Sequence, residues 1–491
     1  MPDSIERNGL TRRRMLEATL AAALAASRAS AQRRTDAPNS ALAMARILNR
    51  ANFADLPPLA VDYAKMILAS TMASAAAGTR IGSAGIVRDL AKEQGGKPEA
   101  NIWFDGAKLP VTAAARVNAM LSDSAASDDS DLRNVAHTGT CLTATGLAIA
   151  ERMGATGQDV LSAMVMGYEA AGRIGEALGQ SGEAVSGSLR QGFHASIVVA
   201  FGGVVCASRL LRLTDEQMGN AIAMTATTMG GLAIGTNSWA REYHAGNAAQ
   251  CAVNAALAAG RGYTVNEDML EAPGGFLAVF GGSKPNTSSL TRELNQQLEI
   301  TRYLAIKLVP GAHALQPAVE AAINAARQAN AAPEQVAKIL VSGPQIRARA
   351  GTRAPKDMIE AIHSLPYFVA SAVADRDFSW VHVTPEKIHR PVVARLIALV
   401  ETDSVPNAVH YDWGWGATVT IVTASGARFT NTVDAPKGSA PRTIQWSDVE
   451  AKYHALMPES RLAARRIEEA LKMIHEFDKA QKVSQLTALL S

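Results

Sequence analysis

Between residues 40 and 302 the chain is written largely in alanine, glycine and small aliphatic residues at helical spacing, as in "LAVDYAKMILASTMASAAAG", "SIVVAFGGVVCASRLLRL" and "AGNAAQCAVNAALAAGRG". Apolar positions three and four apart specify helices. Side chains this small let neighbouring helix backbones come close, so the stretch buries its apolar faces as a compact many-helix bundle. Composition agrees, because 48% hydrophobic residues with only 5% aromatics means packing by small side chains rather than by rings. The helix boundaries are punctuated: Pro57 and Pro58 precede one helix, Gly154 and Gly157 frame a turn, and Thr214 with Gln217 opens another helix as a capping pair.

After residue 302 the pattern changes. "VAKILVSGPQIRARA" and "WGATVTIVTASGARFTNTVD" carry β-branched alternation, the second with Ser425 and Gly426 as a hairpin turn. Helix-like text lies at 313–329 and 359–374, and the tail from 442 to 491 returns to amphipathic helix that is expected to pack back on the first part. The predicted fold is mainly α, with a large all-α helical domain over 40–302 and 442–491 and a smaller α+β domain over 303–441. A chain of 491 residues accommodates two such domains.

The N-terminus, "LTRRRMLEATLAAALAASRASAQ", sets paired arginines before a mildly apolar run and a small-residue end. It is similar to a twin-arginine export signal over residues 1–31, which predicts a periplasmic mature protein; a basic amphipathic first helix is the other reading. No other apolar run is long enough for a membrane span, so no membrane association of the mature form is expected. Cys141, Cys206 and Cys251 are odd in number and lack C-x-x-C spacing, which argues against a disulfide framework. A net charge of +3 without a basic run past the N-terminus excludes nucleic acid as an expected partner.

Chemistry-bearing residues stand in four places. The loop "SAASDDSDLRNVAHTGT" supplies Asp128, Asp129, Ser130 and His137. His194 enters an apolar helix in "QGFHAS", where the helix dipole favours a neutral imidazole able to accept a proton; a core or capping histidine fits the same text. Arg241 and His244 lie three apart, on one side of a helical turn, and together can hold a carboxylate; a surface salt bridge and a structural histidine are the alternative. Lys307, in "AIKLVPGAH", follows a strand-like run; buried, it needs a partner such as a substrate carboxylate, and otherwise its head is solvated. The aspartates match no EF-hand spacing, and there is no His-Glu-x-x-His, phosphate loop, dinucleotide fingerprint or Gly-x-Ser-x-Gly elbow, so neither metal nor cofactor is expected.

Taken in order, "ARVNAMLSDSAASDDS", "HTGT", "ATGQDVLSAMVMGYEAAGRI", "GFHASIVVAFGG", "HAGNAAQCAVNAALAAGRGYT", "GGFLAVFGG", "LAIKLVPGAHALQPAVEAA", "IEAIHSLPYFVASAVADRDF" and "KGSAPR" resemble the MmgE/PrpD family, whose members include dehydratases, decarboxylases and epimerases. The resemblance implies a helical domain made from both chain ends with an inserted α+β lid. It implies a cofactor-free and metal-free site between them that moves a proton at a carbon next to a carboxylate, and a homodimer. Asp128 and Asp129 then match the family's paired aspartates, Ser130 a threonine, His137 the histidine after them, and His194 the Gly-Phe-His histidine. His244 with Gly246 matches a His-x-Gly turn, and Lys307 the lysine of an Ile-Lys-x-x-Pro stretch. Ala126 stands where the pattern has its first aspartate, Thr138 where it has proline, and Arg241 where many members have lysine. The expected activity is a lyase, a hydro-lyase foremost, or an isomerase of a small carboxylate, with His194 as base, His137 as acid and Ser130 as hydrogen-bond donor. Asp128, Asp129, Arg241, His244 and Lys307 are expected to bind substrate. An epimerase- or racemase-like isomerase and a non-catalytic exported carboxylate-binding protein are the alternatives.

Overall fold

The computed structural model describes residues 39–133, 135–179, 192–281, 285–344, 346, 351–402 and 414–491. The expected export signal lies outside them. The chain is mostly helical with small sheets. Its first part stacks α1 (Pro58–Gly78), α2 (Val111–Ser124), α3 (Thr138–Met153), α4 (Gly157–Ala177), α5 (Ser196–Leu210) and α6 (Ala240–Ala259) around a core of alanines, leucines and valines. Small residues set the spacing. A Cβ on Gly167 of α4 would stand 2.6 Å from the carbonyl oxygen of Gly202 on α5, so this crossing exists only because both helices carry glycine there.

Local signals hold where they are local. The helix after Pro57 starts at Pro58, Gly154 ends α3 in the left-handed region, and the Thr214 hydroxyl accepts from Gln217 N–H at 3.2 Å while the Gln217 side chain accepts from Thr214 N–H at 3.0 Å. Cys141 and Cys206 are buried and Cys251 is half-buried, all as free thiols. No described helix is long and apolar enough to cross a membrane.

Buried apolar residues form a second core from Leu315 to Val433, joined by Ala126 from the first part. Here a four-stranded sheet runs in the order Val400–Thr402, Val336–Ser342, Ala417–Thr423, Arg428–Val433, with the first pair parallel and the others antiparallel. Ser425 and Gly426 make the expected hairpin turn, Gly426 at φ 85°. Helices Gln316–Ala329 and Leu365–Asp375 lie where helix-like text was read. Leu304 and Ile306 belong to the first core and Leu315 to the second, so the chain passes between cores over 307–314, a few residues beyond the composition change. The tail does fold back: Trp446 Nε1 donates to Asp62 on α1 at 2.8 Å, and Lys452 Nζ to Ser70 at 2.7 Å.

One small sheet escapes periodicity. Asp129–Asp131 (β1) pairs antiparallel with Leu304–Ile306 (β2), and Ile306 N–H also donates to the Gly438 carbonyl at 2.8 Å. This sheet ties the loop after α2, the passage between cores and the closing "KGSAPR" segment into one seam.

Candidate active site

The seam continues as backbone hydrogen bonds. Ala126, at φ 49°, donates to the Asp123 carbonyl at 2.9 Å and accepts from Gly311 N–H at 2.8 Å. Lys307 N–H donates to the Asp128 carbonyl at 3.1 Å, and Ala312 N–H to the Ile362 carbonyl at 2.9 Å. Gly311 sits at φ 105°, with the place of a Cβ 2.4 Å from the Phe368 ring and 2.7 Å from Ile362 O, so only glycine fits. Three distant segments, 126–128, 307–312 and 362–363, are thereby fixed side by side.

Alternation along β1 sends Asp128 and Ser130 to one face and Asp129 and Asp131 to the other. On the first face Asp128 Oδ2 lies 2.8 Å from His137 Nδ1, and Asp128 Oδ1 takes a hydrogen bond from Lys307 Nζ at 2.7 Å. Asp123, at the end of α2, approaches the same His137 Nδ1 at 2.9 Å. With Nδ1–H committed to these carboxylates, the 3.3 Å approach of Lys307 Nζ to that nitrogen is a shared-anion contact rather than a hydrogen bond. Arg241 donates through Nη2 to the carbonyls of Asp123 and Ser124 at 2.7 and 3.0 Å and sets Nε 3.3 Å from Asp123 Oδ2. It thus closes the C-terminal end of α2 with a cation, as the helix dipole favours. Three cations, His137, Arg241 and Lys307, meet around buried Asp123 and Asp128, and Arg241 Nη2 also lies 3.9 Å from the buried Glu242 carboxylate.

The protonation states follow from that arrangement. Burial pushes the Asp128 carboxyl up, but His137 and Lys307 outweigh it and hold it well below the usual carboxylate range; Arg241 and His137 lower Asp123 against its own burial. Burial disfavours charge on His137, yet Asp128 and the hydrogen bonds to both aspartates raise it to about 9, an imidazolium at neutral pH.

Asp128 and Asp129, expected to bind substrate, have protein partners of their own. Asp128 is fully buried and spent on His137, Lys307 and the Thr140 hydroxyl at 3.0 Å. Asp129 faces away and accepts from Gly139 N–H at 2.9 Å in the first turn of α3; burial and neighbouring Asp128 raise it to about 7. Asp128 thus contacts two of the cations, while Asp129 braces the start of α3. Ser130, on the face of Asp128, keeps a buried hydroxyl with no partner among the described residues. The ligand atoms of Asp123, Asp128 and His137 lie within 4.8 Å of one another, a spacing a divalent ion could bridge, but the Lys307 ammonium already supplies positive charge there and would have to be displaced.

His194 and His244 form a neighbouring pair with ring centroids 5.2 Å apart. Burial first, then the positive charge of His137, drive His194 down to about 3, so it is neutral as expected. Its hydrogen bonds set the resting tautomer. Ser196 N–H, in the first turn of α5, donates to His194 Nδ1 at 3.1 Å. A backbone N–H is a donor only, so Nδ1 holds the lone pair and Nε2 the proton. At rest His194 presents a donor, where a base needs an acceptor. His244, one turn from Arg241 on α6, is lowered by burial and its Nδ1 has no partner among the described residues.

Two further histidines join the cluster. His313 is 3% exposed with both ring nitrogens unpartnered among the described residues, and burial, followed by Lys307 and His137, keeps it neutral. Its sequence signal was its place six residues after Lys307. His363, directly after the Ile362 carbonyl that holds Ala312, is half-buried and is driven to about 3 by burial and then Arg241. Asp123 had no signal beyond its nearness to the acidic loop.

Two family models cover most of the chain: the MmgE/PrpD N-terminal domain matches residues 42–289 and the MmgE/PrpD C-terminal domain residues 310–476. The chain is 23% identical over 444 residues to the cis-aconitate decarboxylase of Homo sapiens, covering 88% of this chain and 90% of that protein. It is 25% identical over 399 residues to the cis-aconitate decarboxylase of Mus musculus, covering 78% and 79%. Both the order of motifs and the whole-length match lead to one conclusion: this chain belongs to the MmgE/PrpD family.

Proposed function

We propose that the protein is a lyase that binds a small di- or tricarboxylate between its two cores, removes a proton α to a carboxylate, and expels water. The observation that carries this reading is a buried cluster of fixed charge, His137, Arg241 and Lys307 meeting around Asp123, Asp128 and Glu242. Removing a carbon-bound proton next to a carboxylate leaves an enediolate, whose charge needs fixed donors in a medium that cannot reorganise. Lys307 and the uncommitted edge of Arg241 meet carboxylate oxygens, and His194 Nε2–H and the Ser130 hydroxyl add neutral hydrogen bonds. His137, protonated at neutral pH, gives its proton to the departing hydroxyl. The chemistry uses no cofactor in this reading. The α+β part acts as a lid that excludes water, the mature protein works as a periplasmic homodimer, and its substrate arrives by diffusion.

Decarboxylation is a second reading, favoured by the name that both relatives carry. An epimerase shares the proton removal and omits the leaving group. A thermal-shift series with citrate, malate and cis-aconitate tests the binding step, because a ligand at a hundred times its dissociation constant adds about 2.7 kcal/mol of stability. NMR of the product mixtures separates loss of water, loss of carbon dioxide and simple exchange. A protein that none of these acids stabilises refutes the assignment of a carboxylate substrate.

A further inference from the structure

We propose that one apolar face, made by Ile86, Leu90, Leu232, Ile234, Trp239 and Tyr243, is where a second copy of this chain docks, and that the docking holds the wall of the site that carries His194 and His244. The inference rests on the homodimer in the reading above and names its contact surface. All six side chains are large, apolar and exposed, Ile234 at 89% and Leu232 at 58%. Single exposed apolar residues are ordinary on a protein surface; six in one place are not.

The six belong to one surface. Trp239 Cη2 lies 3.8 Å from the place of a Cβ on Gly82, at the start of the helix Gly82–Gln94, and Ser83 Oγ donates to Glu242 Oε1 at 2.6 Å. Gly82, Ile86 and Leu90 follow at successive turns of that helix, so its exposed apolar stripe begins at the Trp239 ring. Tyr243 stands one turn beyond Trp239 on α6, and Leu232 and Ile234 lie in the segment that leads into it. Together the six expose roughly 700 Å², above the roughly 300–600 Å² of the largest apolar patch on an ordinary monomer and near the about 800 Å² that each partner gives to a standard interface. No residue from Met229 to Ala240 is charged, so this segment can meet its own copy across a two-fold axis without like-charge repulsion.

The inner side of the same segment builds the site. Gly231 O accepts from His194 N–H at 3.0 Å, and Ala233 N–H donates to Gly192 O at 2.9 Å. The place of a Cβ on Gly231 is 3.3 Å from the His244 ring, and that on Gly235 is 3.2 Å from it, so residues 231–235 pass directly over His244. The wall is therefore a single pass of backbone, with histidines on one side and Leu232 and Ile234 on the other. Its 3₁₀ turn, Ala233–Asn237, buries none of its own residues, and a segment with so few buried contacts opens easily. A partner seated on the outer side supplies those contacts, so the placing of His194 and His244 depends on the second copy.

Analytical ultracentrifugation of the full chain and of Ile234→Asp tests the face, and hydrogen–deuterium exchange read by mass spectrometry over residues 231–240 tests the wall. Ile234 is too exposed for its replacement to disturb the fold, which circular dichroism checks. We expect wild type to sediment as a dimer and Ile234→Asp as a monomer, its dissociation constant raised about a hundredfold or more by the two carboxylates brought into the contact. Amides of 231–240 should exchange about tenfold faster in the variant. A dimer that Ile234→Asp leaves intact overturns the proposed face while the homodimer reading stands. A monomeric wild type overturns both. A monomeric variant whose 231–240 amides exchange at the wild-type rate overturns the dependence of the wall on the partner.

Discussion

The charge on His137 gives the most quantitative handle on the cluster. Its proton is held more tightly in the folded protein, about 9 against an ordinary 6.5, because Asp128 and Asp123 face it. At about 1.4 kcal/mol for each tenfold change in proton affinity, the difference amounts to about 3 kcal/mol. The sign follows from which state holds the proton. Below the unfolded value both states are protonated and the contribution is fully present; as pH rises through 6.5 the unfolded chain deprotonates first, and stability is lost until about 9. Wild type alone blurs this, because burial brings Lys452 down from 10.5 to about 7, so its contribution rises with pH over that interval. Lys452 is influenced by Asp128, Lys307 and Asp129 but not by His137, so a comparison with His137→Asn cancels it to first order, whereas Asp129, near 7 and lowered by His137, does not cancel and narrows the difference. Urea unfolding of both proteins, followed by circular dichroism, should show a stability gap larger near pH 6 than near pH 9, by at most about 3 kcal/mol. An equal gap at the two pH values would refute the ion-paired imidazolium, and with it the proposed acid.

Three further substitutions probe the seam and its supports. Gly311→Ala should cost about 2 kcal/mol or more and lower the thermal midpoint, since the added methyl meets the Phe368 ring and Ile362 O in a left-handed conformation; an unchanged midpoint would deny the close approach. Ala126→Asp, which restores the aspartate of the family pattern, should destabilise by about 1–3 kcal/mol in urea titrations because the Ala126 side chain belongs to the apolar second core. A stable Ala126→Asp protein would mean that the carboxylate reaches the charged cluster instead. Arg133→Met should cost about 3–5 kcal/mol in the same titrations, because it leaves Glu299 and Glu176, both buried and bonded to Arg133, short of a cation. A loss below about 1 kcal/mol would show that Arg292, 2.8 Å from Glu176, and Arg173, 3.3 Å from Glu176 and 3.6 Å from Glu299, suffice without it.

What the sequence carried and what it left out divide by range. Helix starts, the Ser425–Gly426 hairpin and the amphipathic tail depend on residues within a turn or two, and each lies where the text placed it. The strand Asp129–Asp131 was illegible because "DSD" has no apolar alternation; it exists only because Leu304–Ile306 arrives from far along the chain to pair with it. The same limit governs the site. Motif order located His137, Arg241 and Lys307, which meet around Asp128 or Asp123, but it could not show that those aspartates face inward to hold cations. The role of His194 turned on one hydrogen bond from Ser196, two residues on. That short-range pattern was present in "HAS" and is a common way for a side chain to satisfy a helix start. His363 lies inside the "IEAIHSLPYF" motif, but nothing in that stretch singled it out as chemistry-bearing.

The cations are held by contacts that owe nothing to a ligand. Arg241 is pinned to the last carbonyls of α2, and Lys307 is fixed through its own backbone to Asp128. Beneath them Lys452 reaches from the tail to the Ser127 carbonyl, steadying the loop from behind. Such a frame has paid its ordering cost during folding, so donors need not reorganise as charge develops on a bound carboxylate. Ala126 fits this logic. A carboxylate at that position would either be buried among the apolar residues of the second core or turn inward and compete with a ligand carboxylate for the cations. With alanine there, no further carboxylate joins Asp123, Asp128 and Glu242 around the three cations, which leaves their remaining donor positions to a ligand.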